Sequence, residues 1–175
     1  MGRRTCRAAA LHVPRAYGAR MAQRSAGVLL HRGDPDDLEV LIVHPGGPFW
    51  ARRDDGAWSV PKGEHGPDEP ARDAAFREFA EELGVAVPDG TVRDLGEIAQ
   101  SRAKVVEVWA VEADLDVAEV VSNTFEMEWP PRSGRQQAFP EIDRAEWVTI
   151  DVARRKLLPG QVPLLDRLLA ALHAG

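Results

Sequence analysis

Cysteine is nearly missing from this chain: Cys6 is the single one among 175 residues. No disulfide can close within it and no thiolate cluster can hold a metal, so the default compartment is a reducing one, the cytoplasm. No stretch approaches the roughly 18 to 20 apolar residues that a membrane helix needs, which excludes a helical span. No segment repeats at a fixed period, and the 15 glycines and 13 prolines are scattered, which excludes collagen and repeat arrays. Basic charge is also short, with 22 Lys and Arg against 28 Asp and Glu. Five of the arginines (Arg3, Arg4, Arg7, Arg15, Arg20) lie in the first twenty residues, where there is no acid; the remaining 17 basic residues face 28 acidic ones, a net charge of −11. Such a body repels phosphate backbones and excludes broad binding to a nucleic-acid duplex. Gathered carboxylates, in contrast, suit a hard divalent cation.

What remains is the composition of one globular domain, 44% hydrophobic and 29% charged. Residues 1–20, rich in Arg and Ala, read as a disordered or over-extended segment before a domain over 21–175; a transit peptide would have a similar composition. Apolar and β-branched runs predict strands over Ala26–His31, Leu38–His44, Trp58–Val60, Thr91–Gln100, Lys104–Glu112 and Arg144–Ile150. A long loop around Pro45–Gly56 separates the second and third of these. Asp68–Leu83 reads as a helix, with acids and Pro70 in its first turn, Ala74, Ala75, Phe79 and Leu83 as its apolar stripe, and Gly84 as its cap. Asn123–Arg135 is a polar connection. The chain ends in helices, Asp151–Leu157 and then a face of Leu164, Leu165, Leu168, Leu169 and Leu172 that closes the core or contacts a second copy. Together these elements make one α+β domain.

Chemistry concentrates in the predicted helix. Glu78, Glu81 and Glu82 fall on one face. Like charges at those spacings repel by roughly 0.2–0.5 kcal/mol per pair, and they crowd the helix end whose dipole disfavours anions. A cation such as Mg²⁺ or Mn²⁺, bound through carboxylate oxygens, would offset both costs. An ordinary solvated acidic face is the plainer reading of such a triplet. The wider pattern argues against it: Gly63, five residues, Glu69, seven residues, Arg77-Glu78, apolar Phe79, then Glu81-Glu82 and Gly84-Val85.

Gly63–Val85 resembles the Nudix box, GX5EX7REUXEEXGU with U apolar, at every defined position. The flanking pieces VHPGGPFW, WSVPKGE and SNTFEMEWPPRSGR resemble a bacterial subgroup of predicted Nudix pyrophosphohydrolases. The resemblance implies a Nudix α/β/α sandwich with a mixed sheet, and hydrolysis of a nucleoside diphosphate linked to a moiety X. It implies that Glu78, Glu81, Glu82 and the Gly63 carbonyl hold Mg²⁺, or Mn²⁺ in its place. It also implies that Arg77 orients the carboxylates, in partnership with Glu69. Clustered divalent ions would neutralise the anhydride and acidify the attacking water. Glu81 or Glu78 is then the candidate base. In several Nudix groups the base lies on a loop outside the box, and Glu126 and Glu128 are placed for that role or are exposed strand acids.

Lys62, Arg52 and Arg53, with Arg132 and Arg135, are candidate phosphate contacts or solvated surface groups. Trp50, Trp58 and Trp129 lie near loops; Trp58 is the candidate for stacking on a base, against a plain core role. His44 and His65 lack metal-ligand spacing. The proline that marks ADP-ribose-type members downstream of the box is replaced by Ala99-Gln-Ser-Arg-Ala103, and the only tyrosine is Tyr17. The WSVPKGE approach is similar to that of dinucleoside polyphosphate hydrolases. The expected activity is therefore Mg²⁺-dependent hydrolysis of a nucleoside or dinucleoside polyphosphate, a small-molecule phosphoanhydride. An ADP-ribose or nucleotide-sugar pyrophosphatase is the alternative. A non-catalytic nucleotide-sensing module is the alternative of another class, although such modules often lose a box glutamate and Glu69, Glu78, Glu81 and Glu82 are all present.

Overall fold

A computed structural model describes residues 22–174. The segment 1–20, and with it the reading of its arginines and Cys6, lies outside the described residues. Eight strands and three α-helices follow in order: β1 (Gln23–Arg32), β2 (Glu39–Pro45), β3 (Lys62–Glu64), α1 (Ala71–Leu83), β4 (Thr91–Ser101), β5 (Lys104–Glu112), β6 (Thr124–Glu128), β7 (Gln136–Pro140), β8 (Ile142–Thr149), α2 (Ile150–Lys156) and α3 (Pro163–His173).

Five strands run side by side in the order β4-β5-β1-β2-β8, with β3 added on β1. β1 pairs parallel with β5 and antiparallel with β2 and β3, so the sheet is mixed. β1 is buried continuously from Ser25 to His31 because helices cover both of its faces. Ala26, Val28 and Leu30 pack with Ala74, Ala75, Phe79 and Leu83 of α1 on one side. Leu29, Val40 and Ile42 pack with Leu157, Leu164, Leu165 and Leu168 on the other. The result is an α/β/α sandwich in which the apolar face of α3 closes the core.

Three departures from the sequence-based expectations have physical causes. α1 begins at Ala71 rather than Asp68, because Pro70 stands at the cap with an extended ψ of 129°, and a residue before proline avoids helical geometry. Glu69 therefore sits on the preceding turn. Trp58 and Ser59 make only isolated bridges, Val43 to Ser59 and Trp58 to Leu157, too short a run for a full strand. The polar connection holds a strand, β6, which forms a hairpin with β7 just beyond it, Phe125 opposite Phe139; Phe125, Met127 and Trp129 alternate with Thr124, Glu126 and Glu128 at the strand period.

Candidate active site

The site is built where β3 meets α1. β3 is fixed on β1 by pairs Ala26–Gly63 and Gly27–Lys62, while the apolar stripe of α1 holds the helix on the same strand. Glu78 is thereby brought under Gly63, so close that a Cβ on residue 63 would collide with its carboxylate. The Lys62 amide donates to Glu82 Oε2 at 2.9 Å. Arg77 joins the rest: its Nε and Nη2 donate to the two Glu69 oxygens at 2.8 and 2.9 Å. Its Nη1 donates to Glu78 Oε1 at 2.8 Å and to Glu81 Oε2 at 3.0 Å. These bonds hold the guanidinium well above its ordinary range, the Glu69 bonds contributing most, and hold the Glu69 carboxyl below its own.

Glu82 is the electrostatically costly member. Burial pushes its carboxyl up to about 7, and the like charges of Glu78 and Glu141 add to that, against the opposing Lys62 charge and amide bond. Burial likewise lowers the Lys62 amine, which the carboxylates of Glu82, Glu78 and Glu64 partly restore. As the side chains stand, Glu78 and Glu81 turn to Arg77 and Glu82 to the Lys62 amide. Among the described residues, then, no three acidic or histidine side chains converge as a ready-made metal cage. The donor set nevertheless fits a hard divalent cation: carboxylate and carbonyl oxygens only, with a buried carboxylate pressed by two like charges.

Residues 21–168 match the NUDIX domain family. The chain belongs to that family. Its fold is similar to solved Nudix structures, among them the Ap4A hydrolase of C. elegans in a binary complex (TM-score 0.60, 19% identity, covering 88% of this chain and 100% of that one). The NUDIX domain of Shewanella oneidensis NrtR complexed with ADP ribose aligns with a TM-score of 0.56 at 18% identity, over 93% of this chain and 94% of that one. RenU, a Nudix hydrolase from M. smegmatis, aligns with a TM-score of 0.54 at 22% identity, over 89% of this chain and 87% of that one. At these identities the likeness is one of fold. No curated protein matches the chain. Family and an unbroken box make it a Nudix pyrophosphohydrolase.

Around the Nudix box the other candidate residues scatter. Trp58 is wholly buried, 0% exposed, and its indole N–H donates to Asp54 at 2.7 Å. Lys156 and Arg144 lie over the ring at 4.2 and 4.8 Å. It is a core residue, and the expectation that it stacks on a base is corrected. Arg52 and Arg53 are exposed on the long loop, Arg53 with its guanidinium 5.3 Å from the Trp50 ring. That loop is tied down by His44, whose ring is wedged between Asp143 (2.6 Å) and the Arg53 carbonyl (2.8 Å). Glu126 and Glu128 are exposed on β6, and Glu128 accepts the Gly134 amide at 2.8 Å, closing the hairpin turn.

Glu141 was missed by sequence reasoning, and its charge bears on Glu82. Its amide donates to the Asn123 carbonyl at 2.8 Å. Asn123 in turn donates to the Glu81 carbonyl at 2.7 Å. An acid lying 59 residues beyond Glu82 in the chain is brought back to the box by the root of the hairpin. Only knowledge that the strands pair at 124–140 would have revealed it.

Proposed function

We propose that the chain is a Mg²⁺-dependent hydrolase that cleaves a pyrophosphate bond in a nucleoside or dinucleoside polyphosphate. One observation carries this reading: the box is unbroken and folded on itself, with Glu78 drawn in beneath Gly63, Glu69, Glu78 and Glu81 all bonded to Arg77, and Glu82 held by the Lys62 amide. In this proposal Glu78, Glu81, Glu82 and the Gly63 carbonyl hold Mg²⁺, or Mn²⁺ in its place. When bound, the ions neutralise the anhydride oxygens and lower the pKa of water.

The chain's own groups do the rest. Arg77, braced by Glu69, sets the angle of the Glu78 and Glu81 carboxylates. Glu81 takes the proton of the attacking water: its side chain is 54% exposed against 15% for Glu78, and only its Oε2 is engaged by Arg77. Glu126 or Glu128 on β6 is the acid from outside the box that assists, with Glu141 at the root of the same hairpin as a third candidate. Lys62 meets a phosphate oxygen, and Arg52 and Arg53 reach the more distant phosphates. The domain of residues 21–175 suffices for this chemistry, acting in the cytoplasm on a small molecule.

The test is turnover with and without Mg²⁺ on dinucleoside polyphosphates, nucleoside triphosphates, ADP-ribose and nucleotide sugars, comparing the unmodified chain with Glu82→Gln. A preferred polyphosphate, lost with Mg²⁺ and in the variant, is the expected result; a chain starting at Met21 is expected to give the same rates. Preference for ADP-ribose or a nucleotide sugar would replace the substrate. Folded protein that binds nucleotide and turns over nothing would sink the hydrolase in favour of a sensing module.

A further inference from the structure

His44, at the end of β2, makes two hydrogen bonds that the box chemistry does not use. Its ring is 0% exposed. Nδ1 lies 2.6 Å from Asp143 Oδ1 on β8, and Nε2 lies 2.8 Å from the Arg53 carbonyl on the long loop. A carboxylate and a carbonyl both accept and neither donates. A neutral imidazole has one N–H and one bare nitrogen, so it satisfies only one of the two. The bare nitrogen would then face an oxygen lone pair inside the protein, a cost in place of a bond. Both contacts are bonds only when the ring carries a second proton, and of the two side chains imidazole is the stronger base.

That proton bears on the loop. The loop is anchored at its ends, where the Gly46 amide donates to the Glu141 carbonyl and the Gly56 amide to the Arg155 carbonyl, each at 2.9 Å. Asp54 is held by the Trp58 indole at 2.7 Å. Within residues 47–53 the Trp50 amide donates to the Gly47 carbonyl and the Arg53 amide to the Trp50 carbonyl, both internal to the loop. Among the described residues, the His44 ring is the only group of the body that hydrogen-bonds to residues 47–53. One imidazole nitrogen therefore ties this stretch to the sheet.

The charges around the ring are mixed. β8 brings Asp143, Arg144 and Glu146, with Arg144 Nε 3.7 Å from the Asp143 carboxylate. The loop brings Arg53 and Asp54. α2 brings Lys156, 2.9 Å from Glu146 and 3.5 Å from Asp54. The Trp58 ring meets the imidazole edge-on at 5.2 Å. Only Asp143 and the Arg53 carbonyl bond to the ring nitrogens. A hydrogen bond to a carboxylate is roughly twice as strong as one to a neutral carbonyl. When the second proton leaves, the remaining N–H stays with Asp143 and the Arg53 carbonyl loses its donor.

We propose that a doubly protonated His44, braced by Asp143, latches residues 47–53 to the sheet, and that loss of the second proton as the pH rises releases them. The latch is closed at acid pH and opens towards alkaline pH. It acts on the loop that carries Arg52 and Arg53, but it stands apart from the hydrolase reading and its test uses no substrate.

The ring and the loop are read together by NMR on ¹⁵N-labelled chain from about pH 5 to about pH 9, across the ordinary histidine range. The His44 nitrogens are assigned by their loss in His44→Gln. Both nitrogens are expected to be protonated at the acid end and Nδ1 alone at the alkaline end. Protection of the Arg53 amide from hydrogen exchange, corrected for the intrinsic effect of pH, should fall in step by about fivefold, the factor for one neutral hydrogen bond. In Asp143→Asn the side-chain amide donates to Nδ1 of a neutral ring and leaves Nε2–H for Arg53. Protection there should stay within about twofold across the range. A neutral ring throughout, a ring that keeps both protons to the alkaline end, protection that does not follow the ring, or an undiminished pH response in folded Asp143→Asn overturns the proposal. Should that variant fail to fold, the unmodified chain decides alone.

Discussion

The placement of single box residues was readable because it is set locally. Gly63, Glu69, Arg77, Glu78, Glu81 and Glu82 lie within twenty residues, and their spacing alone places them on one turn and one helix flank. Gly63 shows how tight that placement is, since its missing side chain is the space that the Glu78 carboxylate fills. Gly63→Ala is expected to displace Glu78 from beneath β3, lowering kcat by about 10- to 100-fold, the usual cost of disturbing groups that orient metal ligands. The thermal midpoint should change little, because the carboxylate can move towards solvent. Turnover and melting measured on the same preparation check this; a collapse of stability with turnover per folded molecule unchanged would refute it. Trp58 was not readable in the same way. An aromatic beside a loop signals equally a core and a binding residue, and only its complete burial in the cluster with Ile42, Val60 and Leu157 shows it to be core.

At the scale of elements, strand and helix periods located most of the sheet and its helices, and failed where one residue overrides a pattern. Pro70 moved the helix start to Ala71, and the alternation of Phe125, Met127 and Trp129 is only three apolar positions long before Pro130-Pro131 cuts it off. The end of α1 was marked by Gly84, for a stronger reason than propensity. Gly84 has φ 71°, its amide caps the Ala80 carbonyl, and a Cβ would press on the Val121 carbonyl. The neighbouring Val121 amide donates to the Leu83 carbonyl at 2.9 Å, so the cap also docks the segment that leads to Asn123 and the hairpin. Gly84→Ala is expected to cost more than about 1 kcal/mol, because alanine is strained at positive φ and the neighbouring backbone must give way. For a chain of this size that lowers the thermal midpoint by about 2–4 °C per kcal/mol. An unchanged midpoint would mean that the cap carries no such strain.

On the scale of the whole molecule, stability and chemistry draw on opposite ends of β1. Its Gln23–Gly27 half supports β3 and the box, while His31, near its other end, is only 1% exposed in the same sheet. Neither ring nitrogen of His31 has a hydrogen-bond partner among the described residues. Burial lowers the pKa of this imidazole, Glu112 opposite it on β5 partly restores it, and Arg93, paired with Glu112, lowers it again. The folded-state value thus lies below the unfolded value near 6.5, and the unfolded chain binds the proton more tightly. Stability from this group is complete above about pH 6.5 and is lost as the pH falls below it, levelling off once the folded-state pKa is passed. His31→Leu removes both the titration and the unpartnered nitrogens, so the variant should be more stable by about 1 kcal/mol at pH 7 and by more at pH 5. Urea unfolding of both proteins at the two pH values is the measurement. Parallel losses in the two proteins would place the acid sensitivity elsewhere, in the carboxylate pairs on the other side of the sheet; a gap that widens towards pH 5 would show that the core of β1, far from the chemistry, sets the acid limit of the fold.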